Sequence, residues 1–147
     1  MKALIQRVKS AQVRVASDII GEIGLGWLIF LGISRSDTGD EISKLAEKIA
    51  GLRLFSDAEG RFNLSVTDVS GSILVVSQFT LYADCSRGRR PSFTDAAEPA
   101  RAQELYERFV TELRSKSIKV ETGRFGADMQ VSLINDGPVT VMLDSAT

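Results

Sequence analysis

The sequence predicts an α+β fold: an antiparallel-rich, barrel-like sheet carrying two main helices, in a single domain spanning residues 1–147. Three observations predict it. Apolar residues recur at period two in several short runs, which marks strands with one buried face. Two segments, one in each half of the chain, switch to helical spacing. Turn residues separate these segments, with no linker, internal repeat or low-complexity tract between them. A length of 147 residues suits one domain, and 44% hydrophobic residues supply a core.

Residues 2–8 and 12–16 are rich in Val and Ile and are predicted as two strands, with Lys9-Ser10-Ala11 as a short break. Ile19 to Ile23 and Leu25 to Ile33 continue the strand character. Ile23, Leu25, Trp27, Ile29, Leu31 and Ile33 share one face, and Leu28 and Phe30 fill the other, so this strand is expected to be buried on two sides. Ser36 to Asp40 is a turn and a helix start, and Ile42, Leu45, Ala46, Ile49 and Ala50 then recur at helical spacing over about 40–51. Leu52 to Phe55 is a candidate short strand, and Asp57-Ala58-Glu59-Gly60 a surface turn. Val69 to Tyr82 contains the next strand, and Ala83 to Phe93 is a polar, basic loop. From Pro99 to Lys116 the apolar residues Ala102, Leu105, Tyr106, Phe109, Val110 and Leu113 form one helical stripe, with Pro99 suited to the first turn. Ile118 to Glu121 is a strand, followed by the glycine-rich turn Thr122-Gly123-Arg124-Phe125-Gly126. Met129, Val131 and Leu133 alternate with polar partners until Gly137-Pro138 interrupts the run, and Val139, Val141 and Leu143 resume it.

Composition narrows the chemistry. The chain has no histidine, which excludes Ser-His-Asp and Cys-His catalysis and zinc sites that need imidazole. Cys85 is the single cysteine, so there is no intrachain disulfide framework and an intracellular, cytoplasmic protein is expected. No cofactor or metal is implied. Net charge is −1, so any nucleic-acid contact must come from a local basic patch. The densest is Arg87-Gly88-Arg89-Arg90-Pro91; such a charge run is usually a solvated loop, with a salt-sensitive phosphate contact as the alternative. The apolar run Leu25 to Ile33 is too short for a membrane span, which needs about 20 residues. The N-terminus lacks the apolar stretch of a signal peptide.

Two segments stand out. Ser77-Gln78-Phe79-Thr80-Leu81-Tyr82 follows the apolar Ile73 to Val76, and polarity switching at a strand end is where a sheet often meets a ligand. Period two places Ser77 and Phe79 on one face and Gln78 and Thr80 on the other. The plain alternative is an ordinary strand end and turn. Asn135-Asp136-Gly137-Pro138-Val139-Thr140 contains a Gly-Pro pair, where the cis peptide costs only about 0.5–1 kcal/mol. Glycine permits close approach of the backbone to a ligand, and a plain turn or bulge is the alternative here. Arg7 lies within a strand and, if buried, needs carbonyl or carboxylate partners.

Together with Gln6-Arg7-Val8, Gly88 to Phe93 and Thr122 to Met129, these segments resemble the D-aminoacyl-tRNA deacylases along nearly the whole chain. The departure is at Ser86-Arg87, where family members often carry a second basic residue. The resemblance implies a homodimer with active sites at the subunit interface and no membrane association. It implies that Gly137-Pro138 is cis and enters the partner's pocket, and that Arg7 helps to fix this loop. Ser77, Gln78, Phe79 and Thr80 would hold the ester carbonyl and the terminal adenosine, with Phe125 and Met129 lining the adenine side. The expected substrate is a D-aminoacyl-tRNA, and glycyl-tRNA mischarged on a non-cognate tRNA would also be cleaved. Rigid backbone would reject L-aminoacyl-tRNA whatever its side chain, whereas one methylene of apolar contact is worth only about 1–3 kcal/mol. Two hydrolytic routes remain: Thr80 as nucleophile, weak without an adjacent base, or water activated by the substrate's ribose 2′-hydroxyl. The competing readings are a non-catalytic tRNA-binding module, a small-molecule amidase or esterase using Thr80, and a structural dimerisation domain.

Overall fold

The computed structural model describes residues 1–147. Three strands open the chain: β1 (Lys2–Val15), β2 (Asp18–Ile23) and β3 (Gly26–Gly32). Helix α1 (Glu41–Ala50) and a small hairpin, β4 (Phe55–Ser56) with β5 (Phe62–Leu64), follow. Then come β6 (Ser72–Ser77), a 3-10 turn (Phe79–Tyr82), helix α2 (Pro99–Arg114), β7 (Lys119–Thr122) and β8 (Gln130–Asp144). No helix is long and apolar enough to cross a membrane.

The α+β, barrel-like architecture expected from the sequence is what forms. β1 organises it. One edge of β1 pairs antiparallel with β8 along its length. The other edge pairs with β3 over Lys2 to Val8 and then with β2 over Ala11 to Val15. From β3 the sheet continues through β6 and β7, both added parallel, and β2 leans back on β6 and β7 so that the sheet nearly closes.

The predicted break at Lys9-Ser10-Ala11 is corrected, because β1 runs through it. Lys9 and Ser10 are exposed where β1 passes from one partner strand to the next. Their polarity marks a corner, not an end. The irregularity falls on the opposite edge: Gln6 pairs with Thr140 but Val8 pairs with Asn135, so four residues of β8 loop out opposite Arg7.

The central strands are buried on two faces, as their continuous apolar runs require. Trp27, Ile29, Leu31, Ile73 and Val75 pack against Leu45 and Ile49 of α1 and Leu105 and Phe109 of α2. Leu28, Leu74 and Val76 face the other way and join Val8, Val13 and Ile23 inside the curved sheet. Each fully buried side chain of this size contributes about 1.5–3 kcal/mol. Both helices exist because their apolar stripes cover the outer face of β3 and β6. α2 stops at Arg114, short of the predicted Lys116, and Ser117 just beyond takes a left-handed conformation at φ 60° that ends the helical path.

Candidate active site

β6 delivers the Ser77–Tyr82 segment to the carboxyl end of the central strands. Ser77 pairs with Leu31, and the Gln78 N–H donates to the Leu31 carbonyl at 2.8 Å. The strand then ends. Phe79 to Tyr82 wind into the 3-10 turn, so the predicted alternation of Ser77 and Phe79 against Gln78 and Thr80 does not continue past Ser77. Instead, Gln78 Nε2 donates to Thr80 Oγ1. The turn sits directly on Gly32: a β-carbon there would lie 3.0 Å from Leu81 Cβ and 3.1 Å from the Gln78 carbonyl oxygen. Replacing Gly32 with valine is therefore expected to push the turn outward. On the sequence-based expectation that Ser77 to Thr80 carry the chemistry, misplacement on the scale of 1 Å would lower kcat by about 10²-fold while the far-UV circular dichroism stays native.

Beside the turn lies a cavity of about 590 Å³, walled largely by apolar side chains. Ser77, Gln78 and Phe79 line it, and so do Phe125 and Met129 from the glycine-rich loop before β8. Thr80 is exposed beside it and is not part of the wall. Phe79 stacks edge-on against Phe93 at 5.1 Å between centroids. Phe125 packs against Tyr106 of α2 at 5.9 Å, and the Tyr106 hydroxyl donates to the Val75 carbonyl at 2.8 Å. The loop wall is thus tied through α2 to β6. Burial pushes the Tyr106 phenol well up, and burial together with the nearby carboxylates of Asp37, Asp144 and Glu41 does the same to Tyr82. Neither tyrosine offers a phenolate base at neutral pH. Glu98 is the one charged residue on the cavity wall. No group of three His, Cys, Asp or Glu side chains suited to a metal ion exists anywhere in the chain.

The remaining sequence-predicted residues form a separate cluster. The Gly137-Pro138 peptide is cis and both residues are exposed. Gly137 has φ 141°, a backbone region that disfavours side chains, and a β-carbon there would lie 2.7 Å from the Val139 backbone nitrogen. Arg7 is 8% exposed and lies beneath this elbow. Its Nε donates to the Asp136 carbonyl at 3.0 Å and lies 3.4 Å from the Asp136 carboxylate. Its Nη1 donates to the Leu54 carbonyl at 2.6 Å, and its guanidinium lies 5.5 Å from the Phe62 ring centre. Asn135 Nδ2 closes the base of the loop by donating to the carbonyls of Arg7 and Val139 at 2.9 and 3.2 Å.

The two clusters sit at different levels of the sheet. Arg7 pairs with Trp27, whereas the cavity opens at Leu31 and Ser77. Those levels are four residues apart on β3, about 13 Å at the usual rise per residue. Neither Gly137 nor Pro138 lines the cavity of its own chain.

Sequence reasoning missed Phe93 and Glu98 on the cavity wall and the Leu54 and Phe62 contacts to Arg7. Asn135 and Asp136 stood inside the Gly-Pro segment, and their polarity beside a buried arginine was the available signal.

With this geometry established, comparison with known proteins gives a consistent result. The family described as D-Tyr-tRNA(Tyr) deacylase matches residues 4–144. A D-aminoacyl-tRNA deacylase of Chloroflexus aurantiacus is 60% identical over 146 residues, covering 99% of this chain and 91% of that one. One of Thermotoga petrophila is 55% identical over 146 residues, covering 99% and 98%. Among solved structures, the c-Myc DNA Unwinding Element Binding Protein superposes with a TM-score of 0.91 at 42% identity, covering 98% of each chain. Sequence and fold agree along the full length, and the chain belongs to the D-aminoacyl-tRNA deacylase family of ester hydrolases.

Proposed function

We propose that the protein removes D-amino acids from tRNA by hydrolysing the ester to the terminal adenosine, and that each active site is completed by a second copy of the chain. The observation that carries this reading is the separation of the two clusters. A cavity lined by Ser77, Gln78, Phe79, Phe125 and Met129 lies at one level, and an exposed, well-anchored Gly137-Pro138 elbow lies at another. An elbow that does not wall its own cavity is free to wall a partner's.

The adenosine enters between Phe125 and Met129, and the ester carbonyl lies against the 3-10 turn. The N–H groups of Phe79 and Thr80 open that turn, and donors in a first turn have no partner within it. Aimed at the carbonyl, they stabilise the oxyanion that forms when water adds. Losing one such donor typically costs about 10²–10³ in rate. The attacking water is deprotonated with help from the ribose 2′-hydroxyl, and the 3′-oxygen leaves with a proton. This leaves the Thr80 hydroxyl no covalent role; it accepts from Gln78 Nε2, whose residue is also held by its backbone N–H on the Leu31 carbonyl. The elbow occupies the space an L side chain would need. Glycine presents no side chain and is cleaved too, as on a mischarged tRNA. The protein acts in the cytoplasm, where tRNA is charged.

The test is release of amino acid from D-tyrosyl-, L-tyrosyl- and glycyl-tRNA, with sedimentation analysis of the protein. D-tyrosyl and glycyl release by a dimer is expected. Binding of uncharged tRNA with no release from any ester would make the protein a tRNA-binding module instead. Thr80→Val is expected to retain most activity, since threonine is a weak nucleophile without a base. An acyl group trapped on Thr80 would overturn the substrate-assisted route.

A further inference from the structure

A second groove, of about 370 Å³, lies between α2 and the glycine-rich loop, and Phe125 is a wall of both this groove and the active-site cavity. Its character is opposite to that of the cavity. The cavity is apolar, and its only charged wall residue is the carboxylate-bearing Glu98, so no phosphate is stabilised there. The groove carries two guanidinium groups, Arg114 and Arg124. Arg114 uses Nε and Nη2 on the Val120 carbonyl, at 3.4 and 3.1 Å, and its Nη1 makes no bond within the chain. Arg124 is exposed and its side chain makes no hydrogen bond or ion pair within the chain. Thr111 and Thr122 add further polar wall. The one carboxylate present, Glu107, already accepts from Gln103 Nε2 at 3.0 Å.

We propose that this groove receives the phosphodiester backbone of the RNA immediately before the terminal adenosine, with Arg124 as the principal phosphate contact. The proposal rests on the deacylase reading above. If the adenine lies against Phe125, its strand leaves the cavity beside that ring, and the next polyanionic unit meets unpaired guanidinium on the far side. The arginines of the 87–90 loop line neither the cavity nor this groove. A contact of this kind positions the substrate without reading its sequence, so it acts on every tRNA alike.

The test is steady-state deacylation of D-tyrosyl-tRNA by the whole protein as salt is varied, for wild type, Arg124→Ala, Arg124→Lys and an Arg89→Ala/Arg90→Ala variant. One lost phosphate contact to a single strand should reduce the slope of log KM against log salt by about 0.7. Arg124→Ala should show that reduction, with a raised KM and an unchanged kcat. Arg124→Lys keeps a point charge and should retain the slope. An unchanged slope in Arg124→Ala, a fall in kcat with KM constant, or the slope change appearing only in the 89/90 variant would each overturn the proposal. Wild-type protein that releases no D-tyrosine would instead overturn the deacylase reading, which keeps the two failures distinct.

Discussion

Replacing Gly137 with alanine is expected to collapse the discrimination between D- and L-aminoacyl-tRNA. The backbone there has φ 141°, and a new β-carbon would lie 2.7 Å from both the Val139 nitrogen and its Cγ2. The Val139 side chain is buried and the nitrogen is backbone, so the elbow must move instead. In the proposed mechanism the elbow excludes by position, and misplacement on the scale of 1 Å costs about 10²-fold. The ratio of kcat/KM for D-tyrosyl- over L-tyrosyl-tRNA should fall by that order, and the strained β-carbon should lower the melting temperature without altering the far-UV circular dichroism. A variant that kept both full rate and full selectivity would remove the elbow from the mechanism.

Arg7→Ala should be the more damaging change to the molecule as a whole. The guanidinium holds two backbone carbonyls from segments 82 residues apart in sequence, Leu54 and Asp136, and faces the Asp136 carboxylate. Without it those half-buried acceptors lose their partner, and the β4–β5 hairpin loses its tie to the elbow. Removing one partner from a buried, charge-assisted set costs about 3 kcal/mol. Chemical denaturation should show a loss of that size, together with the same loss of stereochemical selectivity as the Gly137 variant. Arg7→Lys should rescue little, because an ammonium cannot reproduce the fork that spans both carbonyls.

Much of this was legible in the sequence, and the exceptions share a cause. The double-sided burial of β3 could be read because Leu28 and Phe30 are as apolar as Trp27 and Ile29. The two helices could be read because their stripes cover one face each. Three features were set by distant partners instead. β1 continues past Lys9 and Ser10 because β2 and β8 pair with it there. β6 ends at Ser77 although Phe-Thr-Leu-Tyr suits a strand, because the turn packs on Gly32. Of the candidate strand at Leu52 to Phe55 only Phe55 pairs, as the first residue of β4 (Phe55–Ser56), and its partner β5 went unread. The parallel additions of β6 and β7 likewise follow from crossovers that local pattern does not encode. In the candidate site, Ser77 to Phe79 on the cavity wall and the cis Gly137-Pro138 elbow stood out in the sequence through their chemistry, whereas Phe93, Glu98 and Phe62 enter from loops and a short hairpin with no periodicity to mark them.

The cross-copy completion of the active site is tested most directly by a crystal structure of the protein bound to 3′-deoxy-3′-(D-tyrosylamino)adenosine, in which an amide replaces the labile ester. The adenine is expected between Phe125 and Met129, the carbonyl oxygen within hydrogen-bond distance of the Phe79 and Thr80 N–H groups, and the elbow of a second copy against the tyrosyl α-carbon. An analogue seated in the cavity of a lone chain, with every Gly137-Pro138 elbow left in solvent, would contradict it.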